Sequence, residues 1–78
     1  MPRYFFDLRD GDEFSPDDEG TELDGVVAAQ AEVIAAFPAI AAQRIRDNRD
    51  RAAFEMTVRD EAGNEVMRAS LSFILTQV

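Results

Sequence analysis

The chain of 78 residues has no cysteine, no histidine, no lysine and no tryptophan. Without cysteine, no disulfide can brace so short a fold. Without cysteine and histidine, the usual ligands of zinc and other transition metals are missing. Without histidine, cysteine or lysine, the groups left for catalysis are carboxylates, hydroxyls and Tyr4. Ser70 and Ser72 have no histidine or lysine in the chain to activate them. Paired carboxylates could serve glycoside hydrolysis, but a chain this short, with no tryptophan, can hardly wall a sugar-binding cleft. The expectation is therefore a protein that is not an enzyme, with no catalytic residues, no cofactor and no resident metal. Braces that small domains use are absent, which raises the expectation of oligomerisation.

Long apolar runs are also lacking. None approaches the roughly 18 residues that a membrane helix needs. Met1-Pro2-Arg3-Tyr4-Phe5-Phe6-Asp7 is interrupted by charge too early for the apolar part of a signal peptide. A cytoplasmic protein without membrane contact is expected. Hydrophobic residues make up 46% of the chain, which suits a packed core and not a disordered segment. The length allows one domain, residues 1–78.

The net charge of -8 is unevenly placed. Asp7, Asp10, Asp12, Glu13, Asp17, Asp18, Glu19, Glu22 and Asp24 face Arg9 alone between residues 7 and 24, and these account for all of it. Direct nucleic-acid binding, which needs an excess of positive charge, is not expected.

Arg3 to Arg9 alternates, with Tyr4, Phe6 and Leu8 on one face, and predicts a half-buried strand. Asp10-Gly11-Asp12 predicts a turn, and Glu13-Phe14-Ser15 a short second strand that Pro16 ends. Residues 17–20 read as a polar loop. Asp24 is a candidate N-cap for an alanine-rich helix running to about Asn48. Val27, Ala31, Ile34, Ala35, Pro38, Ala41, Ala42 and Ile45 form one apolar stripe on it, expected to face the core. Pro38 predicts a kink near Ala36 and Phe37, or two helices meeting there. Phe54, Met56 and Val58 alternate with polar residues. Met67, Ala69, Leu71, Phe73 and Leu75 do the same after the turn Glu61-Ala62-Gly63-Asn64. Opposed residues of an antiparallel pair share a face, so Phe54, Met56 and Val58 should meet Leu71, Ala69 and Met67, or a neighbouring inward set. An even-length loop of residues 61–64 would bring them together without a bulge, with Gly63 at positive φ.

The fold expected is α+β, with one helix, Pro-kinked or divided, on a three- to four-stranded antiparallel sheet in the order β-β-α-β-β. The expected core is Tyr4, Phe6, Leu8, Val27, Ala31, Ile34, Ala35, Ala42, Ile45, Phe54, Met56, Val58, Met67, Leu71, Phe73 and Leu75.

Pro2-Arg3-Tyr4-Phe5-Phe6-Asp7-Leu8-Arg9-Asp10-Gly11, Asp17-Asp18-Glu19-Gly20-Thr21-Glu22-Leu23 and Val58-Arg59-Asp60-Glu61-Ala62-Gly63 together resemble a family of short uncharacterised proteins, a domain of unknown function, common in rhizobia and related bacteria. The resemblance spans nearly the whole chain. It implies a bacterial, cytosolic, stand-alone domain and carries no site residues with it.

Two surfaces remain as candidate sites. The acidic patch Asp10, Asp12, Glu13, Asp17, Asp18 and Glu19 could gather a hard cation or meet a basic protein. The EF-hand pattern fails, because Phe14, Ser15 and Thr21 fall where a ligand, a glycine and a glutamate belong. The plainer reading is a solvated loop beside a helix N-terminus. Arg44, Arg46, Arg49 and Arg51 could grip a phosphate or carboxylate, or simply complement the helix C-terminus. The second candidate surface is another apolar stripe on the helix. Val26, Val33, Phe37 and Ile40 lie roughly 130° from the first stripe, and the two span an arc of roughly 220°. Either Phe14, Leu23 and the loop cover this stripe, or it is an interface between copies, expected as a homo-oligomer and most simply a dimer. An acidic regulator binding a basic partner, as a nucleic-acid decoy or antitoxin-like protein, is the alternative.

Overall fold

The alternation that begins the chain becomes β1 (Arg3–Asp10), which Gly11, at a φ of 60°, turns back into β2 (Glu13–Ser15). The computed structural model describes residues 1–46 and 49–78. After the loop of residues 16–20 comes β3 (Thr21–Glu22), then α1 (Val26–Ile45), β4 (Arg51–Arg59) and β5 (Glu65–Ile74). The expected α+β architecture holds: one helix packs on a five-stranded antiparallel sheet ordered β2-β1-β4-β5, with β3 also paired to β1.

The unexpected strand, β3, is only two residues long. Gly11 N–H donates to Ala53 O, so the odd residues of β1 point their backbone groups toward β4. Leu23 N–H donates to Pro2 O from the other side. β2 and β3 therefore share the outer edge of β1, and residues 16–20 bulge out between them.

The predicted hairpin register is found: Phe54 opposes Leu71, Met56 opposes Ala69 and Val58 opposes Met67. The turn differs from expectation. Arg59 pairs with Glu65, which leaves residues 60–64 as the connection and Val66 as a bulged residue. Asp60 explains this. Its carboxylate accepts from Ala62 N–H and Asn64 N–H, and its own N–H donates to Asn64 O, so Asp60 belongs to the turn and not to the strand. Gly63 sits at a φ of 87°, as the turn requires.

Helix α1 is seated differently from the prediction. Ala29, Val33, Phe37 and Ala41 face the sheet and are buried, while Val27, Ala31, Ile34, Ala35 and Ala42 are exposed. Two interactions account for the rotation. Phe37 is the largest apolar side chain on the helix, and burying it to 3% exposure removes more apolar area from water than burying Val27 or Ile34 would. Pro38 has no N–H, so the Ile34 carbonyl lacks its helical donor. Placing Ile34 and Pro38 on the solvent side lets water take that role. Ile40 and Ile45 are partly buried beside the core.

The helix runs unbroken through Pro38. Its N-cap is Gly25 and not Asp24, and no side chain caps it. By length and composition α1 is apolar enough to cross a membrane, contrary to the expectation from uninterrupted runs. Alanine carries its hydropathy past Gln30 and Glu32. The expected extension to Asn48, and Asp47 beside it, lie outside the described residues.

On the sheet, Tyr4, Leu8, Ala52, Phe54, Met56 and Val58 are buried, with Phe6, Met67, Ala69, Leu71 and Phe73 partly so. Leu75 lies past the end of β5 and is exposed, not in the core.

Phe37→Ala should destabilise the protein by about 3–4 kcal/mol in urea unfolding. Val27→Ala, at low micromolar concentration, should change stability by no more than about 0.5 kcal/mol. Equal effects would place the helix the other way round.

Candidate functional site

Rotation of α1 exchanges the two stripes that the sequence offers. Of the residues expected at an interface, Val33 and Phe37 are buried in the chain's own core and Ile40 is partly buried; only Val26 is exposed. They are corrected to core residues because the sheet, and not a loop, covers them. The exposed apolar surface is instead Val27 and Ile34, 82% and 65% exposed, flanked by Ala31, Ala35, Pro38 and Ala42.

This surface tilts toward one edge of the sheet. Val26, Gln30, Val33 and Ile34 share a cleft with Val66, Met67, Arg68 and Ala69 of β5. At about 100° per residue, Ile34 lies on the β5 side of Val33, and Glu32 lies on the other. Strand β5 is the last in the sheet. Its core-facing residues Met67, Ala69, Leu71 and Phe73 are only half-buried, because no strand among the described residues continues the sheet beyond them.

The opposite edge is built otherwise. Asp7 is 5% exposed on the face away from the helix. Its carboxylate accepts two hydrogen bonds from the Arg59 guanidinium and one from Asp17 N–H at 2.9 Å. Arg59 also donates to Asp17 O and lies over the Phe5 ring. Asp17 stands where β2 has ended and β3 has not begun. Its carboxylate accepts from Phe6, Glu19 and Gly20 N–H at 3.0–3.1 Å, giving Phe6 the partner that a neighbouring strand would have supplied. The loop lies so close that a Cβ on Gly20, at a φ of 73°, would come 2.8 Å from Arg3 Cγ and 3.0 Å from Tyr4 O.

At the other end of β1, Asp10 accepts hydrogen bonds from both Arg44 and Arg49, with Glu13 also beside Arg44. These bonds fasten the helix C-terminus to the first hairpin. Two members of the predicted arginine cluster thus grip a carboxylate of the same chain, while Arg46 and Arg51 are exposed.

The six acids of the predicted patch do not converge. Asp10 and Glu13 meet Arg44, Asp17 caps backbone N–H groups, and Asp12, Asp18 and Glu19 are exposed. Among the described residues no group of three or more acids could hold a metal ion. The Asp7–Arg59–Asp17 arrangement was not read from the sequence. Asp7 and Arg59 lie 52 residues apart, and only their shared position off the core face hinted that they could meet.

The three engaged acids titrate below the usual aspartate range. For Asp7 the Arg59 hydrogen bonds dominate, against burial, with Asp17 N–H adding to them. For Asp10, Arg49 dominates, against burial, and Arg44 assists. For Asp17, burial is the largest single influence and acts upward, but the three backbone donors together outweigh it.

Fold and site together describe a small α+β domain in which Asp7, Asp10 and Asp17 hold the loops and the hairpin, the other acids near β2 and β3 stay exposed, and an apolar strip of the helix is open. The chain matches Domain of unknown function (DUF6894) over residues 3–72, and it belongs to that family. No curated protein and no solved structure matches it.

Because these carboxyl pKa values are depressed in the folded state, their stabilisation is complete well above pH 4 and is lost as pH falls through the folded values. Thermal unfolding should be level from about pH 7 to about pH 5 and fall below about pH 4. Asp7→Asn should lose about 1–3 kcal/mol at pH 7 and show a shallower acid loss. Parallel pH curves for the two proteins would remove Asp7 from the account.

Proposed function

We propose that this protein is a small, non-enzymatic interaction module that self-associates through its helix, in the cytoplasm of bacteria such as rhizobia and their relatives. The observation that carries the reading is the exposed strip of Val27 and Ile34, continuous with small apolar neighbours along α1. Such a strip loses its water when it meets a matching apolar surface. The nearest matching surface is that of a second copy, since a two-fold dimer presents the same patch from both sides. The non-enzymatic part rests on the absence of histidine, cysteine and lysine.

At about 100 µM, sedimentation should find a dimer, and Ile34→Asp should weaken it by at least about tenfold, a charge stranded in an apolar contact costing more than about 1.4 kcal/mol. Ile34→Asp should leave monomer stability nearly unchanged. A wild-type monomer at this concentration would overturn the proposal.

A second reading is favoured by the exposure of Asp12, Glu13, Asp18, Glu19, Glu22 and Asp24 along the β2–β3 edge. On this reading the protein is an acidic regulator of a basic partner. Calorimetry with an arginine-rich peptide should then show binding at about 50 mM salt that weakens steeply by about 300 mM. No heat at the lower salt excludes it.

A further inference from the structure

We propose that two copies join by pairing their β5 strands antiparallel, edge to edge, so that the two sheets become one. This rests on the self-association proposed above and specifies how the copies meet.

The backbone of β5 supplies the first argument. Leu75 N–H donates to Asp50 O at 2.7 Å, so the odd residues of the strand turn their N–H and C=O groups toward β4. By alternation, Arg68, Ser70, Ser72 and Ile74 turn theirs out of the edge. An open row of donors and acceptors is a template for another strand.

The second argument is the contrast between the two edges. The far edge of β1 carries strands of three and two residues, Pro16, a bulging loop and a dense row of acids. These are the devices by which edge strands are kept from pairing. β5 has ten residues, no proline and no charge besides Arg68 and Glu65 at its start, with its bulge confined to Val66 at one end.

Self-complementarity identifies the occupant as a second copy. From the bulge at Val66 to the end at Ile74, the midpoint is Ser70. A two-fold axis there sets Ser70 against Ser70, Arg68 against Ser72, Ala69 against Leu71 and Met67 against Phe73. No like charges are opposed. Each half-buried apolar residue gains an apolar partner on the helix side of the sheet. The outward-facing pairs exchange backbone hydrogen bonds. The axis stands perpendicular to the sheet, so both helices lie on the same face, each with Ile34 turned toward the other copy.

Charge favours the same approach. Residues 65–78 contain Glu65 and Arg68 only and are neutral, whereas residues 7–24 hold the whole excess of -8. Meeting at β5 keeps the two acidic edges on the outside of the pair, where mutual repulsion is weakest.

The test uses the absence of native cysteine. Opposed residues of a hydrogen-bonded antiparallel pair have Cα atoms about 5.5 Å apart, within reach of a disulfide. Mild oxidation of Ser70→Cys should give a covalent dimer on a denaturing gel, and Ser15→Cys on the opposite edge should not. Ser70→Pro removes an N–H that has no partner among the described residues and should raise the dimer dissociation constant at least about tenfold with the circular dichroism unchanged. If proline unfolds the domain, Ser70→Lys, which opposes its own copy, serves instead. A wild-type dimer that neither cross-links through Ser70→Cys nor weakens with Ser70→Pro or Ser70→Lys would overturn strand pairing while leaving self-association through the helix standing. Wild type monomeric at about 100 µM would overturn both. Cross-linking through Ser15→Cys as readily as through Ser70→Cys would reduce the cross-link to chance collision and overturn the pairing.

Discussion

The burial of Val33 and Phe37 against the sheet fixes which side of an almost wholly apolar helix is left in water. One helix cannot turn two apolar stripes toward one sheet. Choosing the stripe with the phenylalanine leaves the valine–isoleucine stripe outside, and Pro38 reinforces the choice by leaving the Ile34 carbonyl without a helical donor. The cleft beside β5, the tilt of the exposed strip and the position of Arg44 over the first hairpin follow from that rotation.

The sheet shows the same division. On the β1 side, backbone and side-chain groups are satisfied by a dense set of charge-assisted hydrogen bonds: Arg59 on Asp7, the Asp17 carboxylate on three N–H groups, and Arg44 and Arg49 on Asp10. Hydrogen bonds to charged groups are stronger than neutral ones, and here they substitute for the strand that β2 and β3 interrupt. The acids near the N-terminus are thus of two kinds. Asp7, Asp10 and Asp17 are structural, and the exposed remainder gives the edge its negative field.

Much of this was legible in the sequence where a period of two applied. The faces of β1, β4 and β5, the register of the hairpin and the conformation of Gly63 follow from alternation and turn chemistry, which act over a few residues. The helix was legible as a helix, but its orientation was not. Two apolar stripes of similar strength give periodicity nothing to choose between; the tie was broken by side-chain size and by a carbonyl left without its donor, and Pro38, counted in the core-facing stripe and read only as a kink, was the residue that carried the contrary signal. β3 escaped notice because two residues, Thr21 and Glu22, carry no period; their pairing to Arg3 and Tyr4 depends on where the intervening loop closes. The bulge at Val66 came from Asp60 turning its carboxylate back to the turn, a local competition that shortens the strand by one residue. As for the acidic segment, reading it as one patch overlooked that its members have separate partners: Asp10 and Glu13 meet Arg44, whereas Asp17 turns to backbone N–H groups beside β1.

A domain this small has little interior, and a single helix on a single sheet closes only one side of it. The two surfaces left open, the outer strip of α1 and the edge of β5, are adjacent and not scattered, because the helix rotation that buries Phe37 also tips Ile34 toward β5. Random solvent exposure would not place outward-turned strand backbone, half-buried sheet side chains and a bare helix strip along one border while massing acids and proline along the other. The polarity across the sheet, closed at β2–β3 and open at β5, has a direct physical reading: one border is built against association, and the other presents the hydrogen-bonding groups and apolar area that a symmetric partner strand would complete.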